Sequence, residues 1–262
     1  MSQNLKRSGM TKFQLAKHDP KMALIRLFLG KKRFEEKVHL HTCMYIKKAE
    51  SPLEEIQIMR DSDIHEHMPT FQLLTHEFNL KKVLELGTRD GDSTIAFLQL
   101  AHEIDGHVTS VDINNCPLAR SRAESLGYLD KWKFIKGNGL TIEWKDEIDH
   151  LFIDSDHSYN HVLLELEKFE PFVKVGGFIT LHDISRLPEV LKAVTNYMKD
   201  KSHLRLYKYY NNNGLGIIRK IGEGQKERSS DYEQRLEKEI TKTTSTNKIR
   251  ILFNNSINFV LT

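Results

Sequence analysis

The chain has 262 residues, 39% of them hydrophobic and 29% charged, which is enough apolar material for a packed core and excludes global disorder. No run approaches the ~18 apolar residues of a membrane-spanning helix, and the first twenty residues lack an apolar secretory core. Two cysteines, Cys43 and Cys116, make neither a disulfide framework nor a metal-ligand spacing, so a reduced, soluble, cytoplasmic protein is expected. The net charge of +3 is unevenly spread: +9 over residues 1–48, −7 over 49–220 and +1 over 221–262.

Three regions are expected: a basic helical arm (1–50), a central domain (51–220) and a tail (221–262) that is partly flexible or subunit-contacting. In the arm, residues 20–38 read as a helix crowded with Met22, Leu24, Ile25, Leu27, Phe28 and Leu29. Residues 51–79 read as helical and lead into a strand at Lys82–Leu86, which Gly87 stops. A helix follows over Ser93–Ile104, a strand over His107–Asp112, a helix over Pro117–Leu126 and a short strand over Lys133–Ile135. The run His150–Ile153 is a buried strand ending in Asp154. Val162, Leu163, Leu166 and Phe169 give residues 158–170 a helical period. Gly177–Leu181 is a further strand and 187–199 a further helix. Leu204–Tyr210, an Asn-Asn-Asn-Gly turn and Leu215–Ile218 form a hairpin. In the tail, Ser229–Glu239 is charged, Thr241–Asn247 polar, and Ile249–Thr262 apolar without periodicity. Strands alternating with helices predict an α/β, doubly wound, mostly parallel sheet with an antiparallel C-terminal hairpin.

The first chemical signal is the strand–turn–helix Val83–Thr94, with Gly87 allowing close backbone approach and Gly91 turning the chain into a helix whose free N–H groups favour an anion or carboxylate. Asp112, 25 residues after Gly87, stands where a carboxylate can accept both hydroxyls of a ribose. The spacing is G-x-x-x-G rather than G-x-G-x-x-G, which disfavours a pyrophosphate cradle and so a dinucleotide. Read without context, such a glycine turn is only a turn. After the third strand, Asn138 is either an Asn-Gly turn or a carboxamide able to face an adenine amine and ring nitrogen. The second signal is a set of acids and histidines at two strand ends, Asp154-Ser-Asp156-His157 and His182-Asp183. In a doubly wound sheet these ends share one crevice, and Asp154, His182 and Asp183 could surround a divalent cation. Oxygen ligands suit magnesium or manganese, while the imidazole admits other transition metals.

The Glu85-Leu-Gly87-Thr88 turn resembles the S-adenosylmethionine site of class I methyltransferases. The segments Ile153-Asp-Ser-Asp-His-Ser-Tyr-Asn-His-Val-Leu and Val175-Gly-Gly-Phe-Ile-Thr-Leu-His-Asp resemble the cation-dependent O-methyltransferases, in the branch of the cephalosporin hydroxylase and macrolide-sugar O-methyltransferase families. The resemblance covers roughly residues 61–219. It implies a Rossmann-like methyltransferase sheet and a cofactor site of Glu85, Gly87, Thr88, Gly91, Ser93, Asp112, Asn138 and Asp154, with Glu85 orienting the methionine amino group through its local network. It further implies a cation on Asp154, His182 and Asp183, with His157 as general base near its ordinary pKa. His182 stands where better-known relatives have a carboxylate, which removes a negative charge from the site.

The function expected is cation-assisted O-methylation of a small polyhydroxylated molecule or sugar. A nucleic-acid methyltransferase, suggested by the basic arm, and a non-catalytic cofactor-binding protein are the alternatives. Against nucleic acid, no aromatic–basic interleaving is present. The arm reads as a solvated extension packing on its own core or on a second subunit, so a homo-oligomer through arm or tail is a further expectation. Asp156 reads as a helix cap, His161 as helix surface, and His65 and His67 as structural or substrate-side.

Overall fold

The computed structural model describes residues 49–58 and 62–222. The readings of 1–48, including the helix at 20–38, and of the tail from 223 onward lie outside the described residues. The elements in chain order are α1 (Pro52–Ile58), α2 (Met68–Phe78), β1 (Lys82–Leu86), α3 (Asp92–Glu103), β2 (His107–Asp112), α4 (Pro117–Ser125), β3 (Trp132–Lys136), β4 (Ile148–Ile153), α5 (Tyr159–Phe169), β5 (Val173–His182), α6 (Pro188–Met198), β6 (Leu204–Tyr209) and β7 (Leu215–Lys220). The strand order is β3-β2-β1-β4-β5-β7-β6. The pairs from β3 through β5 are parallel, and β7 pairs antiparallel with both β5 and β6. This is the expected doubly wound sheet with its antiparallel hairpin.

Alternation along each strand feeds two cores, one on each face. Val83, Val108, Phe152 and Phe178 pack with Phe71 and Phe97 of α2 and α3. Leu84, Leu86, Leu151, Ile153, Ile179 and Leu181 pack with Val162, Leu166 and Phe169 of α5 and Val190, Ala193 and Val194 of α6. Pro117 and Pro188 open α4 and α6, where a missing N–H costs nothing.

The first helical region differs from its sequence reading. The described residues form two helices, α1 ending at Ile58 and α2 starting at Met68, with a 3-10 turn at His65–His67 leading into the second. Pro69 lies in the first turn of α2, where its missing N–H is tolerated. The break matters because Asp63 and Ile64 now line the central cavity. The strand expected at Gly177–Leu181 runs over all of Val173–His182, with a register shift against β4 between Ile148 and His150.

Candidate functional site

A cavity of about 510 Å³ opens at the carboxyl ends of β1, β2, β3, β4 and β5. That volume falls within the usual range of small-ligand sites, ~300–1,000 Å³. It is where a doubly wound sheet presents its crevice, beside the switch from β1–β2 to β1–β4 pairing.

Gly87 has φ +93° and Gly91 φ +89°, the left-handed region that favours glycine. A Cβ on Gly87 would sit 2.2 Å from the Asp154 carbonyl oxygen, so this glycine, which also lines the cavity, lets the ends of β1 and β4 approach each other. Gly91 is the residue before α3, and its missing side chain makes room for Ala119 of α4. Beneath the turn, Glu85 is fully buried and accepts hydrogen bonds of 2.6 Å from Ser93, Thr94 and Ser110. Burial pushes its carboxyl up to about 7 against the pull of those hydroxyls. Glu85 does not line the cavity; Ser93 does, so Glu85 can act on a ligand only through that hydroxyl.

Asp112 lies at the cavity wall with its Oδ2 accepting from the Thr88 and Arg89 amides (2.8 and 3.1 Å) and its Oδ1 from Asn114 (2.8 Å). These amides offset the burial penalty and hold the carboxyl below its usual range. Three backbone amides of the neighbouring loops thus fix this carboxylate at the cavity wall. Thr88 also lines the cavity, and its Oγ1 is buried without a hydrogen-bond partner. An unpaired buried hydroxyl facing a cavity is what a polar ligand would complete. Asn138 lines the cavity beside Asp112, with the Gly137 amide donating to Asp112 O at 2.8 Å. Asn138 Oδ1 accepts from the Leu140 amide at 2.8 Å, so the residue makes the turn and still presents a carboxamide to the cavity.

The second cluster assembles as the strand ends anticipated. Asp154, His182 and Asp183 offer ligand atoms within 4.8 Å of one another. His182 Nε2 faces the carbonyl oxygens of Asp63 (2.9 Å) and Asn212 (3.2 Å), which can only accept, so this nitrogen carries its hydrogen. Nδ1 then points to Asp154 Oδ1 (3.4 Å) and Asp183 Oδ2 (3.7 Å), where it is either a second donor or a free lone pair. Asp183 has φ +62°, a strained conformation that acids tolerate better than most residues, and its Oδ1 is buried without a hydrogen-bond partner. Two carboxylates, an imidazole held by its far nitrogen and one orphaned oxygen fit a divalent cation.

His157 bridges the two acids, with Nε2 3.3 Å from Asp154 Oδ1 and 3.1 Å from Asp183 Oδ2. Its hydrogen bonds to Asp154 and then to Asp183 push its pKa up to about 10. With no cation between them, the two anions stabilise the imidazolium. Burial opposes ionisation of Asp154, but His182 and His157 hold its carboxyl well below the usual range. His182 is itself raised to about 9, burial notwithstanding, chiefly by Asp154.

His161 is the clearer correction. It is not helix surface; it lines the cavity with its Nε2 3.1 Å from Glu165 Oε1. Ser155 Oγ donates to the same carboxylate at 2.8 and 2.7 Å. The i, i+4 pair of a polar helix face turned toward the sheet end was the available signal. Asp156 accepts the Ser158 amide at 2.7 Å in the turn before α5; Ser158 occupies the cap position, and no side chain caps the first helical amides, so the cap read at Asp156 is corrected. His65 and His67 are buried and structural. His67 Nε2 donates to Asn212 O at 3.1 Å, and burial takes its pKa down to about 3. The reach of Asp63 and Asn212 to His182 was missed, since backbone carbonyls leave no trace in side-chain spacing.

Residues 84–184 match a family model described as a methyltransferase domain. The matched segment runs from within β1 to just past β5, and so includes the glycine turn and the acidic strand ends. Rhamnosyl O-methyltransferases of Mycobacterium bovis and Mycobacterium tuberculosis are 25% identical over 131 residues, covering 44% of this chain and 51% of theirs. The chain thus spans about half the length of the curated relatives it matches. Among solved structures, an O-methyltransferase from Bacillus cereus in complex with S-adenosylhomocysteine superposes with a TM-score of 0.56 at 17% identity, over 70% of this chain and 97% of that one. A methyltransferase from Podospora anserina, also bound to S-adenosylhomocysteine, gives 0.55 at 15% identity, over 69% and 92%. At such identities these likenesses show the fold.

Proposed function

We propose that this protein is an S-adenosylmethionine-dependent O-methyltransferase, assisted by a divalent cation, whose acceptor is a hydroxyl of a small polyhydroxylated molecule or sugar. The observation that carries the reading is the placement of Asp154, His182 and the orphaned Asp183 oxygen on the same cavity as the methyltransferase glycine turn. The sugar is suggested by the rhamnosyl O-methyltransferase relatives.

In this reading the methionine end of the cofactor lies against Thr88, Gly91 and Ser93, its ribose against Asp112, and its base toward Asn138. When bound, the cofactor supplies an electrophilic methyl on a sulfonium; transfer to the hydroxyl oxygen leaves a thioether and one proton. Magnesium or manganese held by Asp154, His182 and Asp183 would supply Lewis acidity toward the acceptor oxygen. The chain's own residues then have two tasks. Asp154 and Asp183 align the acceptor against the methyl, a matter of proximity and orientation. His157 takes the hydroxyl proton on Nε2. It can do so only when charge on the two acids is offset, because they otherwise keep that nitrogen protonated.

The test is calorimetric titration with S-adenosylhomocysteine and with NADH, each with manganese and with a chelator, followed by labelled-methyl transfer to a panel of sugars and diols. Binding of the adenosyl ligand alone, and transfer that the chelator stops, are the expected results. Absence of adenosyl binding in every condition refutes the cofactor; undiminished transfer under chelation refutes the cation.

A further inference from the structure

The cavity has a second polar group that the proposed chemistry does not use. Glu165, on α5, has a side chain only 1% exposed and still lines the cavity. Ser155 Oγ and His161 Nε2 reach its carboxylate, the hydroxyl spanning both oxygens with a single hydrogen. A carboxylate offers about four acceptor positions, so capacity remains on the cavity side. A buried carboxylate is costly unless its hydrogen-bonding capacity is met.

The location is specific. Gly139 has no Cβ, and one built there would sit 3.0 Å from Glu165 Oε1, so the acid rests directly on the Asn138–Gly139 turn. One turn further along α5, Lys168 Nζ donates to the Gly139 and Ile142 carbonyls and fixes that turn. A single face of α5 thus meets the cavity at the Asn138–Gly139 turn. Asn138 has already committed its carboxamide oxygen to Leu140, which leaves its NH₂ as the group to face a ligand. A donor from Asn138 and an acceptor from Glu165 are complementary to adenine, which presents ring-nitrogen acceptors beside an exocyclic amine.

We propose that Glu165 accepts a hydrogen bond from the 6-amino group of the adenine and is the residue that selects an adenosyl ligand. The inference rests on the cofactor reading above and adds to it an acceptor that the motif-level assignment left to Asn138.

The probes are S-adenosylhomocysteine and its 6-deamino analogue, in which purine replaces adenine and only the amine is lost. Wild-type protein is expected to bind the analogue roughly 10-fold or more weakly, as a lost hydrogen bond to a charged acceptor implies. Glu165→Met, similar in length without an acceptor, should bring the ratio near unity. Glu165→Gln keeps a neutral acceptor oxygen and should leave an intermediate ratio. Equal wild-type affinities overturn the assignment, as does a ratio unchanged in either variant; the glutamine variant serves if the methionine variant does not fold. If neither ligand binds wild type, the cofactor reading itself fails, which is a different result from equal binding.

Discussion

Gly87→Ala separates two costs that a positive-φ glycine usually confounds. The residue has φ +93°, and its added Cβ would lie 2.2 Å from Asp154 O and 2.6 Å from Asp154 C. Ordinary contact begins near 3.4 Å, so the ends of β1 and β4 must part by about 1 Å, and both partners are backbone. Gly127, after α4, has φ +74° with nothing within 4 Å of its Cβ position. Both substitutions carry the left-handed penalty, ~1–2 kcal/mol, and the same unfolded-state gain from losing a glycine. The difference between them is the steric term, which for overpacking is ~1–3 kcal/mol. In a domain of this size that is roughly 2–12 °C of additional loss in Tm, at ~2–4 °C per kcal/mol. Thermal unfolding of both variants measures it. A second readout is local: a shift of about 1 Å at Asp154 exceeds the ~0.5 Å tolerance of a preorganised site. Gly87→Ala should therefore lose the stabilisation by manganese that Gly127→Ala keeps. Equal Tm losses in the two variants, or an undiminished manganese response in Gly87→Ala, would refute the account of Gly87 as the spacer between β1 and Asp154.

Three further outcomes are expected. Glu85 titrates near 7 in the folded protein and near 4.5 unfolded, so its contribution is fully present below about 4.5 and is lost as pH rises through 7. Glu85→Gln should flatten the wild-type loss of stability between those values, by on the order of 3 kcal/mol, in denaturant titrations at a series of pH values; parallel curves would contradict the raised carboxyl. Asp183→Asn should remove the Tm increase produced by manganese while leaving S-adenosylhomocysteine binding within a few-fold, and a persistent increase would locate the cation elsewhere. His157→Ala should lower labelled-methyl transfer by about 10²–10⁴ with little change in cofactor affinity; full turnover would remove His157 as the proton acceptor.

The fold was legible because its signals are local. Apolar runs ending at Gly87, Asp112 and Asp154, each followed by a helical period, define parallel strands and their crossovers. The extended length of β5 was not, since the strand starts at Val173, ahead of Gly176 and Gly177, and those glycines fall in the irregularity between the Val173 and Phe178 pairings with β4. The site was legible to the same depth. Asp154, His157, His182 and Asp183 sit at strand ends, and topology alone brings strand ends together. Glu165 and His161 belong to an amphipathic helix, where only the packing decides which polar residues turn toward the sheet.

The hardest part to read was what orients His182. Its side chain ends β5, but its tautomer is set by two carbonyls far away in sequence, Asp63 between α1 and α2 and Asn212 in the β6–β7 turn. Those two loops are tied to each other by Glu66 N to Asn212 Oδ1 at 3.0 Å, by Asn211 Nδ2 to Glu66 Oε2 at 2.7 Å and by His67 to Asn212 O. The first loop is also tied to the cofactor side, through Ser62 to Asp92 at 2.9 Å and the Asp63–Arg89 ion pair at 3.3 Å. So the loop that covers the glycine turn also holds the imidazole at the acidic cluster. The break between α1 and α2 is what makes this geometry available: in a continuous helix over 51–79 the Asp63 carbonyl would accept the His67 amide, which here bonds Ile64 O instead and leaves Asp63 O to His182. The helical region whose break the sequence did not show is therefore the one that joins the two halves of the site.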